Sequence, residues 1–383
     1  MSSRVPDEPS LVYEWHSADA IDPRCAVVMP VYNQESIISE NIRSLADAMV
    51  LPSELVIVDD ASTDASLREI LTAVEMLSKS SHSFVTIKVI RFSSCVFETR
   101  CDVAGFAEST APFLLEVQAD MTITEQGFDR KMVEALLAFD DLLMLSGRGT
   151  EPLLPIAASY RNGVGTDGAG SPRLFKYVAR RAVAQVTFLA ASALRGRGQR
   201  PKGNGGGHAS VDLPAGRMGI APEHESQLSP SPTEFILTQR AGRVGGLIEI
   251  QPAAHDLSSG TIWVGQTVMR GPLMIHRQRY DMSGGLDPAR FFLAFDDHDL
   301  ACRAYRDHGL RCGYMPIGFS SPLEHGTTRR RRSLSTEWHI FRNILRVRRE
   351  RLSSALFEAS NLDGQELAPC EVRSVPAGTR QFS

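Results

Sequence analysis

The 383-residue chain has little cysteine and no long apolar run, and each shortage excludes a class of protein. None of its six cysteines forms a CxxC pair, so the usual zinc-site spacing is absent and reduced thiols are favoured over a disulfide framework. The nearest approach to a membrane span, Ala182 to Leu194, is shorter than the roughly 18 residues required and is flanked by arginines. The N-terminal MSSRVPDEPS lacks the features of a secretory signal. We therefore expect a soluble, cytoplasmic protein.

A net basic charge is also absent. The net charge is −4, with 43% apolar and 22% charged residues, which is typical of a globular chain that can bury a core. Nothing in the total charge indicates nucleic-acid binding, and we expect no nucleic-acid partner. The basic segments are local: the arginine run 329–332 and an amphipathic basic helix predicted at 335–357. They favour at most an accessory contact with a membrane surface.

Strands and helices are predicted to alternate, which indicates an α/β fold with a mostly parallel sheet. Short β-branched apolar runs predict strands at Cys25–Val31, Leu55–Val58, Val85–Arg91, Phe113–Val117, Leu247–Ile250 and Thr261–Met269. Helical spacing of apolar residues predicts helices at Ser36–Met49, Ala65–Ser78, Thr99–Ser109 and Phe291–His308.

The composition predicts one domain with flanking and inserted segments. Residues 1–23 are interpreted as a loose N-terminal lead-in, and 24–330 as a single domain. A Gly/Pro/Arg-rich stretch at 161–232 is predicted to be a flexible insertion in that domain. Residues 331–383 are predicted to form the C-terminal basic helix and a disordered tail.

Polar residues follow the first two predicted strands where a parallel sheet binds its ligands. Pro30 to Glu35 (PVYNQE) follows the first strand, which is also an ordinary pattern for a polar loop. The adjacent acids Asp59 and Asp60 end the second strand and repel one another. They are tolerable if one caps the next helix and the other meets a ligand donor, although capping and solvation alone remain an equal interpretation.

Two later acidic segments favour a cation or an acid–base role. Asp120 follows the buried strand that ends near Glu116, and such a carboxylate suits Mg²⁺ or Mn²⁺; the alternative is a simple strand-end aspartate. Asp296, Asp297 and Asp299 begin a predicted helix, where a cation, a base or the helix N-terminus can explain them; a solvated acidic N-terminus is the alternative.

A fifth segment holds a histidine and arginines. A lone histidine such as His325 is more often structural than a ligand. The arginines that follow, from Arg329 onward, suit a diphosphate or are plain solvated charge.

The order of these motifs resembles a known family. PVYNQE, VDDAST, TRC with a downstream QAD, GGLD and DDHDL resemble, in order and spacing, the motifs of the inverting family 2 glycosyltransferases with the GT-A fold. The resemblance covers roughly residues 24–160 and 240–330. It implies the nucleotide-diphospho-sugar transferase fold, a mostly parallel central sheet flanked by helices, and metal-assisted transfer of sugar from a nucleotide donor, with UDP favoured.

The resemblance also implies residue roles. It places a catalytic base at Asp297, with Asp296 beside it in the position of the family's glutamate. It implies a Mn²⁺ or Mg²⁺ site at Asp120 and His325, and an acceptor-side loop at Gly284 and Gly285. The implied donor nucleotide-binding residues are Pro30, Tyr32, Glu35, Asp59, Asp60, Arg100, Gln118 and Arg329.

Departures from the family pattern leave alternatives open. Gln118 replaces the first acid of the metal-binding Asp-x-Asp, and Cys101 replaces an asparagine after Arg100. The Gln-x-x-Arg-Trp motif of processive synthases is missing, which predicts single-sugar transfer to a glycan, lipid or protein acceptor. The alternative is a catalytically impaired GT-A domain that binds a nucleotide sugar or a protein partner. A nucleotidyltransferase is disfavoured because the loop Tyr32 to Glu35 lacks glycine and a basic residue.

Overall fold

The computed structural model describes residues 8–147, 150–151, 260–265, 267–268, 270–291, 295–320, 342–343 and 371–376. The predicted insertion 161–232, the predicted strand Leu247–Ile250 and the arginine run 329–332 lie outside the described residues, as does nearly all of the predicted helix 335–357.

A ten-stranded mixed sheet forms the centre of the described chain. Three strands (β1, β9 and β11) run against the other seven, so most strands share one direction. In spatial order they are β1 (Ser10–His16), β4 (Phe84–Arg91), β3 (Ser53–Asp59), β2 (Cys25–Val31), β5 (Phe113–Glu116), β11 (Leu273–His276), β7 (Leu142–Ser146), β12 (Arg311–Tyr314), β9 (Thr261–Gly265) and β14 (Glu371–Ser374). Two short ladders pair β8 (Thr150–Glu151) with β10 (Thr267–Val268), and β6 (Thr122–Ile123) with β13 (Phe319–Ser320).

Helices cover both faces of this sheet, which confirms the predicted α/β class. They are α1 (Ile38–Ala48), α2 (Ser66–Leu77), α3 (Glu98–Ala107), α4 (Phe128–Ala138), α5 (Arg277–Met282) and α6 (Asp296–His308). One buried cluster joins α1, α2 and α4 to one face, and a second joins α3, α5 and α6 to the other. Burial on both faces explains why β2 and β3 read as continuous apolar runs. In the described part of the chain, no helix has the length and apolarity needed to cross a membrane.

Helix α3 lies unusually close to the sheet. A Cβ added at Gly105 would clash with Val28 and would lie 3.2 Å from Cγ2 of Val58. Glycine at this position therefore allows the helix to approach β2 and β3, which brings the first residues of α3 to the carboxyl ends of these strands.

Three predicted boundaries differ from the structure. The predicted loose lead-in contains β1, an edge strand that pairs antiparallel with β4. It is mostly exposed, and its Tyr13 and Trp15 pack against the core. The predicted disordered tail contains β14, which pairs with β9 at the other edge. The predicted helix Phe291–His308 begins only at Asp296, because Phe295 has a left-handed backbone (φ 68°) that ends any continuous helix.

Candidate active site

Side chains from the β2–α1 loop fasten this loop to the β3–α2 loop. The Asn33 carboxamide oxygen accepts from the Thr63 N–H at 2.8 Å, and Glu35 accepts from the Ala65 N–H at 2.9 Å. Glu35 thereby satisfies a free N–H at the start of α2. Tyr32, in the same loop, is 38% exposed and available to a ligand, and Pro30 is half-buried at the end of β2.

Asp59 and Asp60 bind protein groups in the structure. Asp59 is fully buried and pairs with Nε of Arg91 at 3.2 Å. Burial raises the pKa of Asp59, although the Ser62 hydrogen bonds and Arg91 partly offset this rise. Asp60 accepts from the N–H groups of residues 96 and 97 at 2.6 and 3.0 Å. Neither acid caps α2, contrary to the capping alternative; Asp64 does so through the Ser66 N–H at 2.9 Å.

The loop after β5 carries Gln118 and Asp120. Asn41 of α1 shapes this loop by donating to the Ala119 carbonyl at 2.5 Å. The Gln118 amide donates to Glu98 Oε1 at 2.8 Å. Asp120 is only 8% exposed. The loop is therefore held on one side by α1 and on the other by the first residue of α3.

Arg100 lies in the first turn of α3. Its guanidinium is 5.8 Å from the centre of the Phe92 ring, a cation–π distance. Phe92 directly follows β4, so Arg100 lies near the strand ends that were predicted to bind the donor.

The guanidinium of Arg270 forms the centre of the polar site. It lies 2.7 Å from Asp102 and 3.1 Å from Glu98, both on α3, and it also pairs with Asp296 at the start of α6. The Arg270 side chain is 12% exposed, so these ion pairs are largely shielded from solvent screening. Burial raises the pKa of Asp102 to about 7 and that of Asp296 to about 6, although Arg270 acts to lower both.

Glu116 lies beside this cluster in the middle of the fold. It is 2% exposed, and neither of its carboxylate oxygens has a hydrogen-bond partner among the described residues. Burial raises the pKa of Glu116 well above its usual range, and Arg270 only partly offsets the effect.

Asp297, the predicted base, begins α6 next to Asp296. Its Oδ1 accepts from the His298 N–H at 2.8 Å and lies 3.0 Å from His298 Nδ1. Burial alone would raise the pKa of Asp297, but His298 and Arg270 outweigh burial and the pKa is lowered. Asp297 borders a small cavity with room for about one water molecule, together with Asp102, Glu116 and Arg270.

Gly284 and Gly285 both have left-handed backbones, with φ of 77° and 62°. Arg303 of α6 donates to the Gly285 carbonyl at 2.6 Å and also bonds the Ser283 carbonyl. The predicted acceptor-side turn is thus anchored to the helix that carries the predicted base.

The structure joins some predicted residues through residues that the sequence did not single out. Glu98 contacts both Gln118 and Arg270, and Arg270 contacts Asp296, so the β5 loop and the start of α6 share one network. His325 and Arg329 lie outside the described residues.

Arg270, Glu98 and Asp102 were not identified from the sequence as site residues. Arg270 is an isolated cation far from its partners in the chain. A signal did exist for the two acids, since Glu98 directly precedes the predicted helix Thr99–Ser109 and Asp102 lies four positions later in its first turn, where like charges repel each other.

Of the two predicted metal ligands, Asp120 lies among the described residues and His325 does not. In the part of the chain that the structure describes, no group of three or more His, Cys, Asp or Glu is arranged to hold a metal. Asp120 alone fits an ion whose remaining ligands are substrate phosphates and water, which is common for Mg²⁺.

Comparison with known proteins supports the predicted family. Residues 26–151 match the family model described as Glycosyl transferase family 2. This match confirms the predicted family and enzyme class, and it places this part of the chain in glycosyl transferase family 2. The matched segment runs from β2 to β8, and therefore includes the acids at the ends of β3 and β5. No curated protein matches the sequence.

Solved structures of glycosyltransferases show weak similarity. The mannosyltransferase PcManGT from Pyrobaculum calidifontis, in complex with GDP-Man and Mn²⁺, is 19% identical over 33% of this chain and 36% of its own, with a TM-score of 0.30. S. aureus TarS is 13% identical over 88% of this chain and 41% of its own, with a TM-score of 0.44. TarS 1-349 in complex with UDP-GlcNAc is 23% identical over 39% and 37%, with a TM-score of 0.27. The alignments with PcManGT and full-length TarS thus cover about two fifths or less of those proteins, and the likeness carries no conclusion about donor or metal.

Proposed function

We propose that the chain is a metal-assisted inverting glycosyltransferase that moves a single sugar from a nucleotide-diphosphate donor, with UDP favoured, to an acceptor hydroxyl. The observation that carries the proposal is the linkage of Asp297 to the Gln118–Asp120 loop, through Asp296, Arg270 and Glu98, in a chain whose residues 26–151 match the family. A base and a donor-side loop held in one network are what a direct displacement at a sugar carbon requires.

Asp297 acts as the base in this proposal. Its lowered pKa keeps it ionised at neutral pH, so it can accept a proton from the acceptor hydroxyl. As that proton moves to Asp297, the hydroxyl oxygen bonds to the anomeric carbon and the bond from this carbon to the diphosphate oxygen breaks. The products are the glycoside with inverted configuration and the nucleoside diphosphate.

The donor is held at the ends of β2, β3 and β5 in this proposal. Tyr32 is exposed for contact with the nucleobase of the donor, and Arg100 lies near the donor diphosphate. A bound Mn²⁺ or Mg²⁺ supplies positive charge for the leaving diphosphate, and Asp120 with His325 would hold it. The nucleotide side of the donor site is shaped by Pro30, Glu35, Asp59, Asp60 and Gln118. Arg329 assists at the donor phosphates. The turn at Gly284 and Gly285 faces the acceptor.

The acceptor is a glycan, a lipid or a protein, and the proposed location is the cytoplasm, with peripheral membrane contact through the basic segment after Arg329. Binding to anionic vesicles, compared with neutral vesicles, tests this contact.

A second candidate is a catalytically impaired domain that binds a nucleotide sugar or a protein partner. The observation that favours it is Gln118, which stands in place of an acid and uses its amide to bind Glu98. Nucleotide release from UDP-, GDP- and dTDP-sugars, measured with and without Mn²⁺, separates the two candidates. Metal-dependent release supports the enzyme, and donor binding without release supports the impaired domain.

A further inference from the structure

Four acidic side chains surround Arg270. Glu98, Asp102 and Asp296 contact its guanidinium directly, and the charge of Glu116 also acts on it. Asp102, Glu116 and Asp296 are each at most 2% exposed. Without the arginine these acids would repel one another in a medium that screens charge poorly.

Arg270 forms ion pairs with two helices and borders the same cavity as the last residue of β5. Glu98 and Asp102 belong to α3, Glu116 ends β5, and Asp296 begins α6. Arg270 itself precedes β11, and the next residue, Gly271, packs against the β5 loop: a Cβ there would lie 3.4 Å from Cγ of Gln118. A single guanidinium thus fixes the distance between the donor-side loop and the helix that carries Asp297.

Each of the two helices that Arg270 joins is preceded by a phenylalanine with positive φ, although ψ is 166° at Phe97 and 6° at Phe295. Phe97 precedes Glu98 and Phe295 precedes Asp296, and both phenylalanines have φ of 68°. Positive φ is unfavourable for a bulky residue and persists where surrounding contacts hold it. The ion pairs of Arg270 with the very next residue in each case supply such contacts.

We propose that Arg270 is a positioning residue for sugar transfer: by pairing with both Asp296 and Glu98, it sets Asp297 against the donor-side loop of Gln118 and Asp120. This inference rests on the proposed function, since it takes Asp297 to be the base. Arg270 touches neither donor nor acceptor in this account, so its loss affects the reaction step more than donor binding.

The test compares Arg270→Gln and Arg270→Lys with the unsubstituted protein. We expect Arg270→Gln to lower kcat about 100-fold, because a small misplacement of a reacting group has effects of that size. The KM for the donor should change by less than about threefold, because the contacts that bind the donor in its ground state are retained. Arg270→Lys should recover part of the loss, because an ammonium keeps the charge but cannot span all three carboxylates.

Arg277 is the matched control. It is also a part-buried arginine, and its guanidinium donates to the carbonyls of Ala111 and Phe106 and to the Ser109 hydroxyl at 2.6, 3.2 and 2.7 Å. Arg277→Gln should lower the melting temperature while leaving kcat within about twofold. A similar fall in kcat for both variants would overturn the positioning role and indicate general loss of structure.

A double variant separates positioning from folding. Arg270→Gln with Asp102→Asn removes one charge of each sign, so we expect it to fold better than Arg270→Gln alone while kcat stays low. If the double variant regains both stability and full kcat, Arg270 is purely structural and the proposal is overturned.

The remaining case is an unsubstituted protein that transfers no sugar, which would be a failure of the proposed function. The coupling between Arg270 and Asp296 is then measured by urea unfolding of Arg270→Gln, Asp296→Asn and the variant that combines these two substitutions. Non-additive changes in the free energy of unfolding support the coupling of Arg270 to Asp296, and additive changes overturn it.

Discussion

Nδ1 of His298 lies 3.0 Å from Oδ1 of Asp297, and the His298 backbone N–H donates to the same oxygen at 2.8 Å. The imidazole therefore belongs to the environment that decides when Asp297 carries a proton. Burial raises the pKa of Asp297, whereas His298 is the largest of the influences that lower it.

Replacing His298 should move the acid side of the pH–rate profile. In His298→Gln the imidazole that lowers the pKa of Asp297 is lost and this pKa rises, so kcat/KM should begin to fall at a higher pH on acidification. The measurement is kcat/KM between about pH 4 and 8. His308→Gln, on the exposed last turn of the same helix, is the control and should leave the profile unchanged. An unshifted acid limb in His298→Gln would show that Asp297 does not titrate in the reaction.

The acids around Arg270 should make stability depend on pH. Burial raises the pKa of Asp102 to about 7, so the folded state binds more protons than the unfolded state between about pH 4 and 7. This contribution is present at low pH and is lost as the pH rises through 7. Two half-buried histidines, His82 and His276, have pKa values lowered by partial burial and give a slope of the opposite sign.

The difference between two proteins isolates the Asp102 contribution. Relative to Asp102→Asn, the unsubstituted protein should lose on the order of 1–3 kcal/mol of unfolding free energy from pH 5 to 8, since one pKa unit is worth about 1.4 kcal/mol. Urea titrations at pH 5, 6, 7 and 8 provide the comparison. Parallel stability curves would mean that Asp102 has an ordinary pKa in the folded state.

The contact between α3 and the sheet predicts the effect of Gly105→Ala. Alanine favours helix by about 1 kcal/mol, but its Cβ would clash with Val28 in a closely packed core, where overpacking costs about 1–3 kcal/mol. We expect a net loss of about 1 kcal/mol in urea unfolding. Adding Val28→Ala should cost less than the sum of the two single changes, and a stabilised Gly105→Ala would contradict the close approach.

The metal proposal predicts loss of turnover in EDTA and recovery with Mn²⁺ or Mg²⁺. Asp120→Asn should raise the Mn²⁺ concentration needed for half-maximal activity by about tenfold or more, because a neutral amide is a weaker ligand than a carboxylate. Asp140→Asn is the control, since Asp140 is fully exposed on the surface and pairs weakly with Arg279 at 3.5 Å. Undiminished turnover in EDTA would remove Asp120 from its proposed role.

Much of the fold was predictable because its central strands are buried on both faces. Continuous apolar runs predicted β2 and β3 to within a few residues, and helical spacing did the same for α1 and α2. The edge strands β1 and β14 were not predicted. An edge strand such as β1 is held by backbone pairing on one side and leaves most side chains exposed, so its alternation is confined to Tyr13 and Trp15 against Glu14 and His16.

The positions of two predicted site residues agree with the structure, since Asp120 follows β5 and Asp297 lies at the start of α6, and their roles stay predictions. The network between these residues was not predictable. It runs from Gln118 to Glu98, then to Arg270 and Asp296, and these contacts join residues separated by up to about 170 positions. No spacing rule connects such residues, since their proximity follows from α3 and α6 packing on the same face of the sheet.

The most direct test of the account is Asp297→Asn, assayed for sugar transfer and for UDP affinity in the same preparation. The amide keeps the shape of the side chain but cannot take up the acceptor proton, so transfer should fall at least about 1000-fold while the UDP dissociation constant stays within about threefold. Asp307→Asn, at the exposed end of the same helix, should retain full activity. Undiminished transfer by Asp297→Asn would contradict the assignment of Asp297 as the base.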